Sequence, residues 1–267
     1  MRGLWVTLVL ILCHPAVAVS GVTVLGGLAR ENTARPGDMY DDTILLKNTD
    51  GWACDVEIYQ TDYAFYSDGV TVYGEPGSME RSNAEWISLA PPRLTIPANS
   101  TLPVHYRVEV PEAVNLGGSH WSIIMIESVE SAGLQGVTDA SGQNRVAVQT
   151  RIRYGVQVVT DLGDEAKPDI RFQDKRLVHE EAMKVLEVDL ENTGDRWLSP
   201  GFSVELYDQE GKLAYRFESE RKRIYPGCSV RHSIDVTGVP AGRYTALAIV
   251  AGGTEEDFGA QYDLWID

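Results

Sequence analysis

Apolar and polar residues alternate with a period of two through most of the chain, and valine, isoleucine, tyrosine and threonine are enriched in those runs. This is the pattern of half-buried β-strands. In the first half it predicts strands at 43–47, 54–60, 69–73, 102–110, 121–128 and 146–159. Beyond residue 168 it predicts seven more, at 169–177, 184–190, 202–207, 214–217, 229–236, 244–250 and 262–266. Seven is the strand number of a constant-type immunoglobulin sandwich. Gly, Pro, Asn and Asp punctuate the runs, as turns require. No long stretch carries apolar residues at helical spacing behind a cap, so the pattern predicts an all-β chain.

A longer regularity overlies the alternation. Asn48-Thr49-Asp50-Gly51-Trp52 leads into a run ending Val56-Glu57-Ile58-Tyr59, and Asn192-Thr193-Gly194-Asp195-Arg196-Trp197 leads into one ending Val204-Glu205-Leu206-Tyr207. Pro97-Ala98-Asn99-Ser100 and Pro226-Gly227-Cys228-Ser229 follow downstream. The repeat predicts two similar β-sandwiches in tandem, and 267 residues suffice for both. The charged stretch from Asp161 to Pro168 reads as the linker, which puts the domains at 19–163 and 164–267. From tryptophan to proline the first copy spans 45 positions and the second 29. The surplus, about 16 residues within 65–86, reads as a decorated hairpin and loop. Its alternative is a contact surface carried on a rigid scaffold.

Residues 1–18 read as a secretory signal, with Arg2, an apolar run from Leu4 to Cys13, and Ala16-Val17-Ala18 for cleavage. The run is too short to span a bilayer, and no later segment suggests an anchor. Leu12 before Cys13 argues against lipidation. The expectation is a periplasmic product, with the cell surface as the alternative. A net charge of −16 repels phosphate backbones and anionic lipid, which argues against nucleic acid as a partner. Beyond the signal the cysteines are Cys54 and Cys228, one in each predicted domain. They read as two unpaired thiols, Cys54 buried in a strand and Cys228 in a turn.

Candidate chemistry is sparse. His105 and His232 fall on the polar faces of alternating strands, His120 follows Gly117-Gly118-Ser119 in a predicted turn, and His179 lies among charges. None stands at metal-ligand spacing from another ligand, so no metal and no cofactor is expected. There is no Gly-x-Ser-x-Gly elbow and no phosphate-binding glycine loop. The acidic clusters at Asp38/Asp41/Asp42 and Glu255-Glu256-Asp257 lack the ligand order of a calcium loop. A hydrolase built on Ser119 and His120 is the weakest of the functional readings, and no catalytic residue is expected.

The segment from Asn144 to Val158 carries the strongest functional signal. One face is Val146, Val148, Thr150, Ile152, Tyr154, Val156 and Val158; the other is Arg145, Ala147, Gln149, Arg151, Arg153, Gly155 and Gln157. It is long for a strand and closes the first domain. Last strands of sandwiches often lie at an edge, where unpaired N–H and C=O groups can recruit a partner strand. The tract Val148-Gln149-Thr150-Arg151-Ile152-Arg153 resembles that strand in the PapD-like periplasmic chaperones of chaperone–usher pilus systems. The run from Trp86 to Pro97 and Gly117-Gly118-Ser119-His120-Trp121 are similar to the middle section of that family.

The resemblance implies two immunoglobulin-like domains set at an angle. It implies that Val146 and Val148, with Ile152 further along, fill the groove of an incomplete subunit. It also implies that Arg153 anchors the subunit's C-terminal carboxylate, with Arg30 on the first strand as a second basic group. The second domain resembles a generic adhesion-type module, and the layout also resembles the extracellular part of WxL-type surface-interacting proteins. Two functions are therefore expected in competition. One is a periplasmic chaperone-like protein that binds pilin-like or surface protein subunits by donating an edge strand. The other is a structural or adhesive surface module.

Overall fold

A computed structural model describes residues 21–112, 117–129, 152–163, 166–180, 182–251 and 257–267. In chain order its strands are β1 (Val22–Leu25), β2 (Ala29–Ala34), β3 (Met39–Asn48), β4 (Cys54–Phe65), β5 (Thr71–Gly74), β6 (Ile87–Leu89), β7 (Arg93–Ile96), β8 (Thr101–Glu109), β9 (Gly118–Val129), β10 (Arg153–Leu162), β11 (Ile170–Glu180), β12 (Met183–Asn192), β13 (Gly201–Tyr207), β14 (Leu213–Ser219), β15 (Ser229–Asp235), β16 (Gly242–Ala251) and β17 (Phe258–Ile266). Among the described residues the one helical element is a 3₁₀ turn at Ala84–Trp86.

Two sheets form from β1–β10. The order is β1-β3-β8-β6 in one and β2-β10-β9-β4-β5 in the other, with β7 also on β4. Two more form from β11–β17, in the orders β11-β12-β15 and β14-β13-β16-β17. The fold is thus two β-sandwiches in tandem. The alternating residues behave as the period demands. Ile44 and Leu46 on β3, Val56 and Ile58 on β4, Val104, Tyr106 and Val108 on β8, and Val156 and Val158 on β10 pack into the first core. Leu186, Val188 and Leu190 on β12, Val204 and Leu206 on β13, and Ala246, Ala248 and Val250 on β16 fill the second.

The sequence repeat has a structural cause. Asn48 ends β3 and Asn192 ends β12, and both are fully buried. The Asn48 amide donates to the carbonyls of Trp52 (2.8 Å) and Ile96 (3.0 Å), and its Oδ1 accepts from Asp50 N (2.9 Å). Asn192 donates to the carbonyls of Arg196 (2.7 Å) and Ile224 (2.9 Å) and accepts from Gly194 N (3.0 Å). Each asparagine ties the loop behind its own strand to the entry of the strand beside it.

These bonds correct the alignment of the repeats by one residue. Ile96 matches Ile224, so Asn99 (φ 53°) matches Gly227 (φ 75°) as the left-handed residue of each turn, and the prolines and tryptophans are offset. Trp52 is 62% exposed. Trp197 is half-buried, with the Arg223 guanidinium 4.5 Å over its ring.

Several expectations change. β1, β2, β6 and β7 escape the alternation test because they are short, and the Ala29–Ala34 segment has no apolar run. Asp161 and Leu162 belong to β10 rather than to a linker, and both are buried. His120 lies in strand β9 instead of a turn. His232 faces inward between Val230 and Ile234, is fully buried, and stacks on Phe202 at 4.5 Å. His105 is exposed on β8, as the alternation predicts. Both cysteines are free, but Cys54 is half-buried rather than buried. Burial pushes both thiols up to about 11.

Two outcomes follow. Asn192→Ala orphans buried carbonyls and should cost about 2–4 kcal/mol in urea unfolding, with Asn48→Ala comparable. Burial, helped by Lys222, holds the His232 imidazole down at about 4, against an ordinary 6.5. The unfolded chain therefore takes up this proton first as pH falls. The stability present above pH 6.5 is lost progressively down to about 4, up to about 3 kcal/mol for one ring. His232→Phe should flatten that slope in urea midpoints measured from pH 7 to 4.

Candidate functional site

The site begins where the chain changes sheets. β1 pairs antiparallel with Leu45–Asn48 of β3. The chain then turns at Gly26, whose φ of +88° suits glycine. β2 continues in the other sheet, parallel to β10 from Gln157 to Leu162. One segment thus covers half of each edge. β10 is bonded to β9 along its whole length, from Arg153↔Glu127 to Leu162↔Gly118. On its other flank the covering starts with Gln157 N donating to the Leu28 carbonyl at 2.8 Å. Among the described residues no strand covers that flank over Arg153–Val156. Among the described residues the edge is uncovered over this half only, and covered by β2 over the rest.

Strand parity sorts the side chains of β10. Ile152 is half-buried in line with Tyr154, Val156 and Val158, which pack on the first core. Arg153, Gly155, Gln157, Val159 and Asp161 face the other way. Val146 and Val148 lie outside the described residues.

The second sandwich docks on that outer face. Ser119 donates its hydroxyl to Asp161 Oδ1 (2.9 Å) and accepts from Trp197 N (2.9 Å), while Arg196 Nε donates to Asp161 Oδ2 (2.7 Å). Ser119 N donates to the Asp195 carbonyl at 2.8 Å, and Arg81 pairs with the Asp195 carboxylate. Trp121 stacks on the fully buried Tyr225 at 4.6 Å, and the Tyr225 hydroxyl donates to Gln157. Arg223 pairs with Glu31. The surplus segment of the first domain also touches the second: Phe65 meets Tyr225 edge-on at 6.0 Å, and Ser67 N donates to Ser229 Oγ at 2.9 Å. The buried Asp62 carboxylate on β4 accepts from Gly77 N (3.1 Å) and Met79 N (2.7 Å) of that segment, which holds the loop in shape.

Arg153 lies on this same outer face, four residues along β10 from Gln157 and so about 13 Å from the docked contacts. It is 53% exposed and pairs at 2.9 Å with Glu127, whose side chain is only 9% exposed. Tyr59 donates its hydroxyl to the same carboxylate at 3.1 Å. The hydrogen bond to Glu127 holds the guanidinium above its ordinary value. Burial, with the same carboxylate, raises the Tyr59 phenol.

The two candidate arginines are not brought together. Arg30 pairs in register with Val158, so it points inward, where its Nε is 3.7 Å from Asp42 and, among the described residues, has no hydrogen-bond partner. Glu31 is the neighbour on β2 that faces Arg223.

Ser119 and His120 are consecutive strand residues and face opposite ways. Ser119 is committed to Asp161 and Trp197, while the His120 ring lies 4.7 Å from Trp86. No nucleophile–base pair forms there. Among the described residues no cluster of three His, Cys, Asp or Glu could hold a metal.

No protein-family model matches the chain, and no curated protein matches it. Solved structures do. The class 5 fimbriae chaperone CfaA is 10% identical, covering 90% of this chain and 98% of that one, with a TM-score of 0.51. The YadV chaperone is 10% identical over 91% of this chain and 99% of that one, at 0.45. A chain of the Salmonella enterica SafA pilin–SafB chaperone complex is 14% identical over 93% and 99%, at 0.44. The fold is the two-domain PapD-like sandwich pair, and the likeness to CfaA extends over both sandwiches.

Sequence reading missed Asp161, Arg196 and Tyr225. The signal that could have found the junction is Gly117-Gly118. Gly118 has φ +75°, and a Cβ there would sit 2.1 Å from the Asp195 carbonyl oxygen. Gly118→Val should therefore push the sandwiches apart. We expect β-sheet circular dichroism to be retained, a larger radius of gyration in solution scattering, and loss of about 2–4 kcal/mol of stability.

Proposed function

We propose that this protein works outside the cytoplasm as a chaperone for pilus or other surface subunits, and that it does so by lending the open half of β10 to an incomplete partner sheet. The observation that carries the reading is the half-covered edge at Arg153–Val156. An extended segment there can take up backbone hydrogen bonds, while side chains of alternate residues reach one groove. Ile152 is the described residue placed to lead such a strip, and Val146 and Val148 would extend it upstream. Arg153 stands beside the edge on the face toward the second domain. Its guanidinium keeps donors beyond those given to Glu127, so it could receive a terminal carboxylate. Arg30, being turned inward, would act by steadying the β1–β2 crossover near Asp42 rather than by touching a ligand. The role is one of binding, without catalysis, and the domain boundary falls between β10 and β11. CfaA, which shares the fold, is by name a fimbrial chaperone.

The test is co-expression with small exported subunits encoded beside this chain, followed by affinity capture. The wild type should retain a subunit. Arg153→Ala and Ile152→Asp should each reduce capture about tenfold or more, with β-sheet circular dichroism retained. Equal capture by both variants, or binding to purified cell wall in place of any subunit, would sink the reading and favour the adhesive module.

A further inference from the structure

We infer that β17 is a self-pairing edge, through which two copies of this chain join their second sandwiches into one continuous sheet. β17 pairs with β16 on one side, and among the described residues nothing pairs with its other side. Long open edges are usually blunted by bulges, prolines or charges. β11, the facing edge of the other sheet, has a bulge between Phe172 and Asp174 and carries Arg171, Lys175 and Arg176. β14 has a register shift opposite Leu206/Tyr207 and carries Arg216 and Glu218. β17 has neither bulge nor proline. Its ladder to β16 runs unbroken from Phe258 to Ile266, without proline or basic residue, and Asp263 is its one charge.

The sequence of β17 is complementary to itself when reversed. A two-fold axis through the sheet keeps inner residues opposite inner ones, so the pair can centre only on a residue. Centred on Tyr262, the pairing uses the whole strand: Phe258 faces Ile266, Ala260 faces Leu264, Gln261 faces Asp263 and Gly259 faces Trp265. Trp265 is 60% exposed, with the Arg243 guanidinium 5.2 Å over its ring. An aromatic opposite a glycine covers the backbone that glycine leaves bare. Centring on Asp263 instead would oppose two carboxylates, and centring on Gln261 would leave Trp265 facing Asp257. Charge and the fit of Trp265 against Gly259 together select the Tyr262 register. Nine paired residues supply about nine backbone hydrogen bonds, the number a typical interface carries. The same pairing would cover Tyr262, Asp263 and Leu264 at the mouth of a cavity of about 190 Å³ between β11 and β17.

Sedimentation equilibrium of the full chain, at concentrations up to about 1 mM, tests this directly. A monomer–dimer equilibrium is expected. Gln261→Lys sets an ammonium opposite Asp263 of the second copy and should tighten it about three- to tenfold, whereas Gln261→Glu should weaken it by a similar factor. Both changes are at an exposed position, and circular dichroism should be unaltered. A monomer throughout, or a dimer on which the two substitutions act alike, overturns the inference. The outcome is independent of subunit capture, which concerns β10.

Discussion

The buried Asp161 carboxylate ties the two halves of this molecule together. It sits near the end of β10 and accepts from Ser119 in its own sandwich and from Arg196 in the other. A carboxylate removed from water is costly unless such donors surround it. Here the donors come from both sides, so satisfying the charge requires the domains to be docked. The contact also brings Trp121 and Val159, on the outer face of one sheet, into the core of the second sandwich. The stacked Trp121–Tyr225 pair adds apolar burial at the same place.

That docking gives the rest of the first domain its orientation. Every second residue of β10 from Asp161 back to Arg153 shares the face to which the second domain is fixed. The Arg153–Glu127–Tyr59 group lies on that same face, beside the stretch of β10 that no described strand covers. The surplus loop of the first domain is part of the same device. Asp62 on β4 holds it in shape, and its first residues meet Tyr225 and Ser229, so its contact surface is toward its own partner domain.

Edges recur throughout the architecture. The β1–β2 crossover divides one short segment between two sheets and leaves half of β10 without a described strand beside it. On the second sandwich, bulges and charges guard β11 and β14, whereas β17 is smooth. An acidic protein of net charge −16 is protected from indiscriminate association by repulsion. Pairing at a smooth edge then depends on a matched sequence.

Much of the fold could be read from the chain because period-two alternation reports burial on one side of a sheet. The seven strands of the second domain, the inward run of Tyr154, Val156 and Val158, and the repeated asparagine turns were legible in this way. The alternation carries no information about a face buried twice. Val159 breaks the pattern because a second layer covers what a lone strand would leave wet, whereas His232 keeps it, a polar ring on the inward face with Val230 and Ile234, and Asp161 reads as linker because its partners are distant in the chain. The facing of Arg30 was equally hidden, since it depends on a parallel register that no local spacing encodes. Local residue order, in short, determined which segments are strands and which of their sides are apolar. Only long-range packing decided which edges are paired, which outer faces meet, and which charged groups stand where they do.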